Sequence, residues 1–137
     1  WQTGVIMAAR RSNWNIENLR IEDSSWAGIT LRSCSNITVR NCYTWRTGSS
    51  GIIALPFWDN SGGPNGEAEV NSSNIKVLDC TVESANWLED DATYTNRSGD
   101  QEALTLWGVN GFEIARNKVF NGKTEGIDIK TGTRNGT

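Results

Sequence analysis

Short apolar segments, each opened by a small residue, recur along this chain at a nearly constant interval, and that recurrence constrains the fold more than any other feature. They are Gly4-Val5-Ile6-Met7, Gly28-Ile29-Thr30-Leu31, Gly51-Ile52-Ile53-Ala54, Ala103-Leu104-Thr105-Leu106 and Gly126-Ile127-Asp128-Ile129. From Gly28 to Gly51 and from Ala103 to Gly126 the step is ~23 residues, from Gly4 to Gly28 one more, and from Gly51 to Ala103 about twice as long. A second series follows the first: Asn18-Leu19-Arg20-Ile21, Asn36-Ile37-Thr38-Val39, Asn74-Ile75-Lys76-Val77 and Gly111-Phe112-Glu113-Ile114. The offset from Gly28 to Asn36 is the same as that from Ala103 to Gly111. Within each segment aliphatic or β-branched residues alternate at period two, as in a strand with one face turned inward. No stretch longer than about ten residues repeats at helical spacing, which excludes a helical reading.

Where a step is longer, the strands stay in phase, so the extra residues read as corner insertions: about six before Asn18, about fifteen in Leu55–Ser73, and a loop at Trp87–Gln101. A solenoid tolerates such insertions because each lengthens one corner without changing the stacking. Units of ~23 residues with short strands and Asn or Gly corners predict an all-β chain, a parallel β-helix of about five coils stacked at ~4.8 Å. Right-handedness is expected from the general preference of parallel crossover connections. Residues 1–137 read as a single β-helix segment with loop insertions at 55–73 and 87–101. The chain opens on a strand and stops in a corner without an amphipathic cap, so it is expected to be an internal piece of a longer solenoid.

Composition then removes function classes. A chain of 137 residues supplies one modest core, and no apolar run approaches the ~20 residues of a membrane-spanning helix. The net charge of −3 and pI near 4.9, without a block of like charges, argue against nucleic acid as a partner. Histidine is absent, which excludes triads and neutral-pH imidazole bases. Three cysteines with no C-x-x-C pair form neither a disulfide framework nor a zinc ribbon.

Stacking assigns side chains to shared faces. With Ile127 and Ile129 inward, Asp128 and Lys130 point outward, below Thr105 and Trp107; above these come Ile53 and Leu55, then Thr30 and Arg32. The column just before the small residue reads Thr3, Ala27, Ser50, Glu102, Glu125. Glu102 and Glu125 on neighbouring strands repel unless something positive stands between them, either a cation or a basic side chain such as Lys123 or Arg116. Asp100 and Asp128 extend this into an oxygen-rich cluster of the kind calcium takes. Lys130 lies at its edge and Trp107 above it offers a flat apolar surface. Trp58 and Trp87, in the long loops, are candidate flat surfaces for a ligand to stack on, with Arg32 and Arg134 as further candidate ligand contacts. Cys42 and Cys80 fall in equivalent positions, together with Ser24 and, one residue out of phase, Asn117; an inward ladder is expected, although the spacing also permits a disulfide. Cys34 is expected as a free corner thiol.

The phased repeats, with Glu125-Gly126-Ile127-Asp128-Ile129-Lys130 after Asp100-Gln101-Glu102, resemble right-handed β-helix polysaccharide lyases, of the pectate lyase family 9 and alginate and chondroitin lyase family 6 kinds. That resemblance implies calcium-assisted β-elimination of a uronate-containing acidic polysaccharide. Calcium offsets the sugar carboxylate and a neutral lysine removes the C5 proton. Carried over, Lys130 is the base and Glu102, Glu125, Asp128 and Asp100 are the metal ligands. The second basic residue of the family 6 enzymes falls beyond Thr137, and Asp90-Asp91 is the candidate for the acidic set of family 9. Polygalacturonases and arginine-base pectate lyases need a histidine this chain lacks. The alternative function is a non-catalytic carbohydrate-binding or structural β-helix segment. Both readings fit a secreted protein with an acidic polysaccharide as partner and no nucleic acid or membrane.

Overall fold

The computed structural model describes residues 4–56, 72–87 and 102–137. Within them every regular element is a strand, and the strands stack in three parallel sheets. Sheet A holds β1 (Gly4–Ala9), β4 (Ala27–Arg32), β7 (Ile52–Leu55), β10 (Leu104–Leu106) and β13 (Ile127–Ile129) in that order. Sheet B holds β2 (Ser12–Glu17), β5 (Ser35–Arg40), β8 (Ser72–Leu78), β11 (Val109–Ala115) and β14 (Arg134–Gly136). Sheet C holds β3 (Arg20–Glu22), β6 (Tyr43–Trp45), β9 (Thr81–Glu83) and β12 (Lys118–Phe120). Each of the first four coils contributes one strand to sheet A, then B, then C, and the fifth contributes β13 to A and β14 to B, which is the parallel β-helix that the repeat implies.

The inward residues form continuous columns. Ile29, Ile52 and Leu104 stack in one, Leu31, Ala54 and Leu106 in the next, all removed from solvent. Sheet B adds Ile37 over Ile75 and Val39 over Val77, and sheet C adds Val82 below Thr44. Burial of this aliphatic surface is the main favourable contribution to folding. At Gly28 and Gly51 the small residue opening the sheet A segment follows from how closely sheets A and C approach. A Cβ on Gly51 would stand 2.5 Å from Val82 Cγ1 and closer still to Thr44, so nothing larger fits without displacing sheet C.

The register of the first coil differs from the sequence reading. Ile6 pairs with Ile29, and Gly4 with Ala27, so the counterpart of Gly4 is Ala27 and not Gly28. Ile6 and Ala8 are therefore the inward residues, while Val5 is 60% exposed and Ala8 1%. Gly4, not Thr3, heads the column of Ala27, Ser50 and Glu102. A slip of one residue exchanges the two faces of a strand, and β1 is apolar on both, so period two alone does not choose between them. The second difference is that Trp14 pairs with Ile37, which makes Asn13, not Asn18, the counterpart of Asn36. Asn18 belongs to the next corner, facing Asn41, and the first coil carries no insertion before it.

Asparagine dominates the corners because they require left-handed backbone. Asn13, Asn36, Asn74 and Asn135 all have φ between 51° and 61°, a conformation that costs most L-residues about 1–2 kcal/mol and asparagine less. Their side chains also pair between coils. Asn36 Nδ2 donates to Asn13 Oδ1 at 2.9 Å, Asn74 Nδ2 to Asn36 Oδ1 at 2.9 Å, and Asn41 Nδ2 to Asn18 Oδ1 at 2.7 Å. Lower in the Asn18 column the pairing becomes ionic, with Arg116 donating to both oxygens of Asp79 at 2.6 and 2.9 Å.

All three cysteines are free and buried. Cys42 and Cys80 occupy one inward column, as expected, but its first member is Leu19 and not Ser24. Asn117 closes that column, accepting from the Cys80 backbone N–H at 2.8 Å and donating to Val77 O at 2.8 Å. Cys34 is a corner thiol, as expected, and its Sγ lies 3.3 Å from Ala8 O.

Candidate functional site

The outer face of sheet A carries the residues that the columns brought together. Thr30, Ile53, Thr105 and Asp128 form one column. Arg32, Leu55, Trp107 and Lys130 form the other, with the Lys130 backbone N–H donating to Leu106 O at 2.8 Å. This face is not open along its length. Ile53, Leu55, Trp26 and Ala27 make a second apolar cluster on it, with Trp107 packed against them. Arg32 is buried as well, its Nη1 donating to Pro56 O at 3.1 Å, and burial pulls its guanidinium below the usual arginine range.

Below this apolar stretch lies a charged cluster. Glu102 is only 4% exposed. Its carboxylate accepts from the Thr105 hydroxyl at 3.1 Å and from Lys130 Nζ at 3.1 Å to each oxygen. Lys130 Nζ also lies 3.6 Å from Asp128. Thr105 reaches on to Ser50 Oγ at 3.4 Å, so a polar chain runs from coil 3 to coil 5 across the sheet. A buried carboxylate is tolerated only when paired and hydrogen-bonded, and here both conditions are met. Close by, Trp107 Nε1 and Thr30 Oγ1 are buried without a hydrogen-bond partner among the described residues, leaving polar capacity on this face unused.

The positive group needed beside Glu102 is Lys130 itself, from the next coil. Glu125 is exposed, and its backbone oxygen accepts from the Ala103 N–H at 3.0 Å. No three acidic, cysteine or histidine side chains converge among the described residues. Glu102 and Asp128, two of the four expected ligands, share the Lys130 ammonium. Asp100, Asp90, Asp91 and Trp58 lie outside the described residues.

Arg134 sits on sheet B, opposite Asn110, and so belongs to a different sheet from Lys130. Trp87 lies in the corner after β9, where its ring and that of Trp45 take the Arg46 guanidinium at 5.0 and 4.5 Å from their centroids. Sequence reasoning did not find the Thr105 and Lys130 bonds to Glu102. The only signal for them was the placement of those residues on the outer face of the same sheet, in columns a few positions further along the strand than Glu102.

A protein-family model described as "Right handed beta helix region" matches residues 2–137. The chain belongs to that family. The match covers all three sheets of this right-handed β-helix, and with it the coils that carry Glu102, Trp107 and Lys130. No curated protein and no solved structure matches this β-helix.

Proposed function

We propose that this β-helix acts on an acidic, uronate-containing polysaccharide laid along the outer face of sheet A, as a lyase in which Lys130 removes the proton at C5. What carries the reading is the placement of Lys130 one rung below Trp107, held at the mouth of a buried carboxylate. Trp107 is partly exposed and offers a sugar ring a flat face. In the elimination the C5–H electrons form the C4–C5 double bond, the C4–O bond breaks with its electrons on the leaving oxygen, and the proton goes to Lys130 Nζ. A lysine that donates to Glu102 cannot accept that proton until it has given up its own. Glu102 is then the group that positions Nζ, and its buried place in sheet A keeps that position fixed. A polymeric substrate of this size implies an extracellular site of action.

The pairing of Lys130 with both Glu102 and Asp128 favours a second reading, a non-catalytic glycan-binding or structural β-helix in which the ion pair only ties two coils together. The experiment that separates them is ultraviolet detection of unsaturated products from polygalacturonate and alginate, with and without added calcium, for the native chain and Lys130→Ala. Product formation lost in Lys130→Ala supports the lyase. No product under any condition from folded protein leaves the second reading. Calcium titration with Glu102→Ala as control tests whether the metal adds anything to this site.

A further inference from the structure

The outer face of sheet C holds an arrangement that the sheet A reading does not use. One of its columns runs Glu22, Trp45, Glu83, Phe120 from coil 1 to coil 4, and the other runs Arg20, Tyr43, Thr81, Lys118. Phe120 is 42% exposed and Trp87, at the adjoining corner, 36%. Trp45 and Phe120 stand two rungs apart, which is about 9.6 Å at the spacing of paired strands. That is the length of two pyranose rings in an extended β-(1→4)-linked chain, in which every second ring presents the same face. Aromatic rings at this interval can take alternate sugars of one chain, Phe120 by its exposed ring and Trp45 by the part of its ring that Arg46 leaves exposed.

The charges on this face decide what kind of chain. Arg20 pairs with Glu22, and Arg46 with Asp23. Glu83 accepts from the Tyr43 hydroxyl at 2.7 Å and stands between Trp45 and Phe120 in the column. Lys118, at the foot of the neighbouring column, brings the positive and negative groups around the aromatic column into balance. A uronate polymer would bring its carboxylates against Glu22 and Glu83, which disfavours it. A neutral chain meets paired charges that hydrogen-bond to hydroxyls. Arg46 lies over both Trp45 and Trp87, restricting the two rings to one arrangement before any ligand arrives.

We infer that the outer face of sheet C, from Trp45 and Trp87 to Phe120, is a binding site for a neutral, extended β-(1→4)-linked glycan running along the axis of the solenoid. The site lies on a different sheet from Lys130, so it stands or falls independently of the lyase reading.

The test is titration of the whole chain with cellohexaose, followed by tryptophan fluorescence and by calorimetry, in the native protein and in Trp87→Ala, Phe120→Ala and, on the outer face of sheet B, Lys76→Ala. Both Trp87 and Phe120 are exposed enough that their removal leaves the fold intact, which circular dichroism verifies. Saturable binding is expected, weakened tenfold or more by Trp87→Ala and by Phe120→Ala and unchanged by Lys76→Ala. Absence of binding, binding indifferent to Trp87→Ala and Phe120→Ala, or binding lost in Lys76→Ala would each overturn the assignment.

Discussion

Asn36 donates its side-chain amide to Asn13 Oδ1 in the coil before it, 2.9 Å away, and both residues hold left-handed backbone. One residue type thus meets two demands of the same corner. Substituting Asn36 by glycine keeps the backbone conformation and loses the two ladder bonds, to Asn13 and from Asn74, whereas alanine loses the bonds and the conformation. Asn36→Ala is expected to destabilise by about 1–2 kcal/mol and Asn36→Gly by less. Urea denaturation of the two variants measures the difference, and equal losses would mean that the backbone conformation contributes nothing.

The first-coil register is open to a direct check. Lysine at Val5 faces solvent and should change stability by no more than about 0.5 kcal/mol. Lysine at Ala8 enters the core and should abolish cooperative unfolding. The opposite ranking in thermal melts would restore Gly28, in place of Ala27, as the counterpart of Gly4.

Lys130→Ala leaves the carboxylate of Glu102 buried without its cation. The expected loss is about 2 kcal/mol, less than for a fully enclosed pair because the lysine side chain reaches solvent. A Glu102→Gln/Lys130→Met double variant should recover most of that loss in the same denaturation assay. Failure to recover would show that the two residues act separately.

Arg116 beside Asp79 holds that carboxyl below the usual aspartate range. A folded-state pKa lower than the unfolded one gives stability that is present above the unfolded value and lost as pH falls through the folded one. Native protein should therefore be more stable than Arg116→Met at neutral pH. The gap should close in acid as Asp79 takes up its proton. A gap that persists after Asp79 is protonated would mean that Arg116 acts through packing and not charge.

Parity made much of the site legible in advance. Once Leu104 and Ile127 were placed inward, Thr105 over Asp128 and Trp107 over Lys130 followed without further information, because a strand alternates strictly. The first coil resisted because Val5 and Met7 are as apolar as Ile6 and Ala8, and because Asn13 and Asn18 both look like corner residues. The burial of Arg32 and Leu55 could not be read either, since periodicity reports only the side facing the tube. Whether Lys130 meets Glu102 or Glu125 depends on side-chain reach along two strands, which spacing in sequence does not carry.

Ile52 pairs with Ile29 across a single repeat of chain and with Leu104 across a stretch more than twice as long, in the same register. Set beside Gly51, where a single added methyl has no room, this means that the molecule is permissive at its periphery and unforgiving at its bore. Change in such a protein is expected to come by lengthening corners and exchanging outward side chains, and two neighbouring faces of one tube can then acquire separate ligands without either disturbing the other.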